Sequence, residues 1–286
     1  MPTYLLTIAY DGSRYSGWQR QARVETVQGC LEQAFAELAF PNQHVEGASR
    51  TDARVHAIGQ CAHVILPRPF PAHRLARALN SYLPDDIAVQ EVREAPDGFH
   101  ARYFARGKRY VYRCYVSEVR PAIGRSLYYW VRRPVDLEAM RRGAQYLVGR
   151  HDFKAYATNP GYRRKRGTVR TLQRVHLIER PQGFDFAVQG DGFLYNMVRT
   201  LTGSLLLVGL GHRSPEWIGE VLESKDRRLA GPTAPAEGLY LTRVLYAPDL
   251  SMARAEPPIL DEDEVGDEDD DGSDGDGNED LDGGDD

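Results

Sequence analysis

An α+β fold made of two similar α/β halves is what this sequence predicts, and three observations predict it. Strand-like stretches with period-two alternation take turns with stretches of helical periodicity. Strand–helix–strand content occurs in residues 1–105 and again in 106–250, as a repeat of pattern and not of sequence. Hydrophobic residues make up 42% of the 286, enough to give both halves a core. Residues 251–286 differ: they form an acidic, Gly-rich tail without aromatics. Such a tail cannot bury enough apolar surface to order itself and is expected to be disordered.

The elements follow in order. Tyr4 to Tyr10 mixes β-branched and aromatic residues and runs into the turn Asp11-Gly12, a strand. Residues 13–21 are polar and include Tyr15, Gly17 and Trp18, a loop with groups suited to stacking and phosphate contact. Thr26 is an N-cap for a helix through Phe40, with Val27, Leu31, Ala34, Phe35 and Leu38 on one face and Pro41 ending it. An apolar strand (58–66), a helix (71–82) and an alternating strand (87–93) complete the first half.

The second half opens with a strand over 106–116 that alternates aromatic and basic residues. It reads equally as an exposed sheet face and as an RNA-facing surface with one aromatic in a site. Asp136 caps a helix to about Val148, and strands follow at 170–179 and 184–189. A helix over 195–208 places Met197, Val198, Leu201, Leu205 and Val208 at helical spacing, interrupted by Arg199. That arginine is either a snorkelling side chain or the buried partner of a carboxylate. A short helix (215–223) and a strand (239–245) close the fold.

Charge narrows the function. The net −5 conceals a segregation, because residues 261–286 hold 16 Asp and Glu and no Lys or Arg. Setting them aside leaves 25 acidic residues against all 36 basic ones, about +11 on residues 1–260. A basic body implies an anionic partner, nucleic acid before a membrane surface. The run Arg163, Arg164, Lys165 and Arg166 adds to it and is read as a phosphate contact. Cys30, Cys61 and Cys114 are odd in number and far apart, as expected for thiols in a reducing cytoplasm. The spacing of His56, Cys61 and His63 fits no zinc pattern. With no signal peptide and no apolar run of membrane length, a soluble cytoplasmic protein without metal or cofactor is expected.

The chemistry centres on Asp52, flanked by Arg50 and Arg54. In an extended backbone all three side chains would share a face, and the guanidiniums would hold the carboxylate ionised. The bland alternative is a solvated loop with a surface ion pair.

Six blocks in order resemble the tRNA pseudouridine synthase A family. They are Tyr10-Asp11-Gly12 with Gly17-Trp18-Gln19; Gly47 and Arg50-Thr51-Asp52-Ala53 with Val55-His56-Ala57; Lys108-Arg109-Tyr110 with Tyr112; Gly149 with His151-Asp152-Phe153; Phe193 with Met197-Val198-Arg199 and Gly203; and Ala234-Pro235-Ala236 with Gly238-Leu239. The resemblance implies one continuous, mainly antiparallel sheet with helices on one side. It also implies isomerisation of uridine to pseudouridine in the anticodon stem-loop of tRNA, at positions 38, 39 and 40, by a homodimer. Asp52 becomes the nucleophile or the acceptor of a sugar proton, Tyr110 the ring stacked on the uracil or a group in proton transfer at C5, and Arg199 the partner of Asp52. Arg50, Arg54, His56 and Leu239 join Tyr110 in substrate binding. Arg54 departs from the pattern, which usually has Gly there; if that position needs positive φ, Arg costs about 1 kcal/mol. A non-catalytic RNA-binding module, a nucleoside hydrolase and a synthase for another RNA site remain as alternatives.

Overall fold

The computed structural model describes residues 1–159 and 167–251. The basic run 163–166 and all but the first residue of the acidic tail lie outside the described residues.

Along the chain come β1 (Thr3–Tyr10), α1 (Val27–Glu37), β2 (Glu46–Gly47), β3 (His56–Ile65), α2 (Ala72–Asn80), β4 (Ile87–Ala95), β5 (Gly107–Val116) and β6 (Tyr129–Val131). Then follow α3 (Leu137–Gln145), β7 (Gly149–Asp152), β8 (Val169–Arg180), β9 (Gly183–Gly190), α4 (Met197–Gly209), α5 (Trp217–Ser224) and β10 (Leu239–Leu245). The local signals explain the boundaries. The Thr26 hydroxyl accepts from Gly29 N to start α1, and the Asp136 carboxylate accepts from Ala139 N to start α3, each satisfying a first-turn N–H that the helix leaves unpaired.

The strands form one sheet in the order β4-β1-β3-β10-β5-β9-β8-β7, with β2 beside β3 and β6 beside β5. Its pairings are antiparallel except for β10 with β3 and β6 with β5. The α+β class and the continuous sheet expected from the sequence are therefore present, with α2 against β4, and α3 against β8 and α4. The two-residue β2 and three-residue β6 were not expected, being too short to show a period.

The position of β10 matters most for the site. The final strand is inserted at the middle of the sheet, parallel to β3 through Leu241↔Ala57 and antiparallel to β5 through Leu241↔Tyr110. Ala57, Leu241 and Tyr110 thus lie in one row across three strands. Neighbouring strands lie about 4.8 Å apart, so the loop entering β3 is brought close to the middle of β5.

Candidate active site

The segment between β2 and β3 carries Asp52 and is a loop, not the extended strand that would align three side chains. It is sewn to the segment after β1. Trp18 N donates to Thr51 O at 3.0 Å and Arg54 N to Tyr15 O at 3.2 Å, while the Tyr10 hydroxyl bonds the Thr51 hydroxyl at 2.7 Å. Gly17 has φ +94°, and a Cβ there would lie 2.5 Å from Thr51 O, so only glycine lets the two segments touch. Tyr15 and Trp18 are 2% and 1% exposed. They are wedges beneath the Asp52 loop, which corrects the expectation that this segment offers aromatics for stacking.

Asp52 meets Arg199 from α4. Arg199 Nη1 donates to Asp52 Oδ2 at 3.3 Å, with the arginine side chain 18% and the aspartate 31% exposed. The arginine is thus the partner of a carboxylate. Two further acceptors hold its guanidinium: Nε donates to Ala234 O at 2.7 Å and Nη1 to Asn196 Oδ1 at 2.9 Å. Burial raises the Asp52 pKa above the usual 3.8, and the Arg199 charge and hydrogen bond pull it back only in part. The charge that opposes the rise comes from Arg199 and not, as expected, from the flanking arginines, and desolvation outweighs it.

Tyr110, on β5, is 6% exposed. Its hydroxyl bonds the Ser49 hydroxyl at 2.9 Å, and its ring meets Phe193 edge-on with centroids 5.0 Å apart. Burial pushes its pKa up to about 12, with the Asp52 charge adding to the rise. Ser49 escaped the sequence reading because a serine near a catalytic loop carries no pattern of its own. It is 8% exposed, and its carbonyl accepts from Gln60 Nε2 at 2.6 Å.

The other expected residues divide. Arg50 is exposed on the Asp52 loop. Leu239 is buried at the start of β10, opposite Tyr112. Arg54 turns away from Asp52 and pairs with Glu237 at 3.0 Å. His56 is 1% exposed, its Nε2 against the carbonyls of Ser126 and Glu237 at 3.0 and 3.1 Å and its Nδ1 accepting from Gly12 N at 3.1 Å. Its ring is inside the wall, where it joins the segments around Gly12, Ser126 and Glu237.

Arg54 has φ +66°, the left-handed region that glycine enters without penalty. Arg54→Gly should therefore leave stability within about 1 kcal/mol of the parent. Relief of the backbone offsets loss of an exposed ion pair worth roughly 0.2–1 kcal/mol. A drop above about 2 kcal/mol in urea unfolding would contradict this balance.

Gly203 has the opposite tolerance. A Cβ at this α4 position would lie 1.9 Å from Pro232 O. The 232–234 segment can approach the helix, and Ala234 O can accept from Arg199, only because no side chain intervenes. Gly203→Ala should cost roughly 2–3 kcal/mol, read as a lower Tm; an unchanged Tm would refute the close fit.

Among the described residues one group has metal-ligand character: Glu46, His63 and His100 offer atoms within 4.8 Å of one another. Both imidazoles are committed otherwise. Nδ1 of His63 accepts from Ala101 N, and Nδ1 of His100 from Arg102 N. Each neutral ring then carries its proton on Nε2, and that of His100 faces Glu46 at 3.1 Å. Neither ring presents a free lone pair, so the group is a hydrogen-bonded cluster and not a metal cradle.

The tRNA pseudouridine synthase family matches residues 6–104 and 144–247. The chain is 44% identical over 241 residues to tRNA pseudouridine synthase A of Acetivibrio thermocellus, covering 84% of this chain and 98% of that one. It is 41% identical to the same enzyme of Clostridium kluyveri, covering 86% of this chain and 100% of that one. A third relative, tRNA pseudouridine synthase A 1 of Desulfotalea psychrophila, is 42% identical with the same coverage. With Asp52 and Arg199 inside the matched spans, the chain belongs to the tRNA pseudouridine synthase A family.

Proposed function

We propose that this protein isomerises uridine to pseudouridine in tRNA, at positions 38, 39 and 40 of the anticodon stem-loop, with Asp52 as nucleophile. The observation that carries the reading is the partly desolvated Asp52 carboxylate, paired with Arg199 and within electrostatic reach of the Tyr110 ring. The reaction breaks the N1–C1′ bond, turns the uracil and joins C5 to C1′, so it needs a nucleophile, an everted base and little water. Burial makes the carboxylate more reactive toward carbon, and Arg199 keeps it oriented and ionised at neutral pH. With its pKa pushed up to about 12, Tyr110 stays a neutral phenol, and its ring serves as the platform for the uracil.

The basic body, including Arg50 at the loop and the run 163–166, is assigned to the phosphates of the stem-loop. The working unit in this reading is a cytoplasmic homodimer whose two basic surfaces share one tRNA. Sedimentation of the protein should then give a dimer, and a monomer that stays monomeric with tRNA would remove that part.

The test is to map pseudouridine in unmodified tRNA exposed to the parent protein and to Asp52→Ala. Pseudouridine at 38–40 with the parent alone is the expected result. Modification elsewhere would move the target, release of free uracil would make the protein a hydrolase, equal pseudouridine from the variant would remove Asp52 from the chemistry, and tRNA binding without pseudouridine from either protein would leave an RNA-binding module.

A further inference from the structure

Asn196 adopts φ 59° and ψ 6°, in the left-handed region, immediately before α4. Asn is among the few side-chain-bearing residues that enter this region readily. An Asn at a helix start normally uses its side-chain oxygen to accept a first-turn N–H, a contact worth about 1 kcal/mol. Here no such bond is made. The side chain turns across the site instead: Oδ1 accepts from Arg199 Nη1 at 2.9 Å, and Nδ2 donates to Thr158 Oγ1 at 3.0 Å. The amide orientation is dictated by chemistry, because a guanidinium only donates.

Nη1 has two N–H groups. One goes to Asp52 at 3.3 Å and the other to Asn196 at 2.9 Å. Nε is fixed separately by Ala234 O at 2.7 Å. The two shorter bonds set the guanidinium plane, and the longer one is where that plane delivers its charge. Thr158 is joined to the same corner a second time, its N donating to Tyr195 O at 3.1 Å. The strand-to-helix turn before α4 and the 153–158 segment are thereby pinned together behind Arg199.

We infer that Asn196 is a positioning residue for the reaction: it gives up its helix cap to orient the Arg199 guanidinium toward Asp52. The inference rests on the proposed role of Asp52. The groups facing that carboxylate are Arg199 from α4 and Tyr110 from β5, with Arg50 and Arg54 on its own loop, the latter engaged with Glu237. Of these only Arg199 lowers its pKa. Loosening Arg199 would let burial raise the Asp52 pKa further, and the ionised nucleophile would be lost at a higher pH.

Asn196→Gly isolates the side chain, since glycine accepts the same backbone. Pseudouridine formation on tRNA transcripts should show kcat lowered roughly tenfold, as for one hydrogen bond to a charged group. KM should change little, and the acid limb of the kcat–pH profile should move to higher pH. Asn196→Asp keeps the left-handed backbone and the acceptor but sets a second carboxylate on Nη1. Its acid limb should also move upward, with activity recovering as pH rises. Parental kcat and acid limb in the glycine variant, or a raised KM with kcat intact, would overturn the inference. If the glycine variant does not fold, an unmoved limb in Asn196→Asp does the same. Absence of pseudouridine with the parent protein would instead refute the proposed function.

Discussion

Asp52→Asn is expected to eliminate pseudouridine formation, by about 10⁴-fold or more, while tRNA still binds. The amide is nearly isosteric with the carboxylate and can still accept from Arg199 Nη1, so the loop sewn to Trp18 and Tyr15 has no reason to move. What is lost is the negative oxygen to which the proposed function assigns attack on carbon. The same substitution should not lower Tm at neutral pH. The folded-state pKa of Asp52 lies above 3.8, so the folded protein holds this proton more tightly than the unfolded chain does. Stability then falls as pH rises from near 3.8 through the folded pKa, and the cost of the buried charge is fully present above it. The variant removes that cost. Its Tm should equal or exceed the parent's at pH 7, with the difference closing in acid; a large loss of Tm at pH 7 would mean that the ion pair stabilises the fold after all.

Arg199→Met should be less damaging to turnover and much worse for stability. One substitution strips donors from Asp52, Asn196 and the carbonyl of buried Ala234. Loss of a charge-assisted hydrogen bond to the nucleophile corresponds to a kcat lower by on the order of a hundredfold. The acid limb of the rate profile should rise, because burial would then act on the Asp52 pKa unopposed. Acceptors left without donors cost about 2 kcal/mol or more, a Tm lower by roughly 4–8 °C for a chain of this size. Calorimetry and a kcat–pH series separate the two effects. An unmoved limb would detach Arg199 from the chemistry, whatever happened to Tm.

Local signals in the sequence carried the elements well. Thr26 and Asp136 cap the helices they were expected to cap, and the alternation of β5 correctly separates the buried Tyr110 and Tyr112 from Arg109 and Arg113 on the opposite side. What local pattern does not carry is which residues meet. Asp52 and Arg199 are 147 positions apart, and only the resemblance joined them. Trp18 and Tyr15 were misjudged because an aromatic in a polar loop looks the same whether it faces solvent or wedges a neighbouring loop. Arg54 illustrates the reverse: the expected positive φ is present, but its partner Glu237 depended on where the turn before β10 falls. The role of Asn196 had no periodic or spacing signal, since it arises from a single backbone conformation.

The insertion of β10 has a consequence for biosynthesis. The row that sets Tyr110 beside the Asp52 loop is completed by residues synthesised almost 200 positions after β3 begins. A nascent chain can pair β1, β3 and β4 early, but the His56–Ala57 end of β3 and residues 107–112 of β5 keep bare edges until Leu239–Leu245 leaves the ribosome. Such edges recruit other strands, and closing so distant a pairing is slow. A ribosome that stalls before this strand therefore yields no half-active product, only an aggregation-prone fragment for chaperones and proteases.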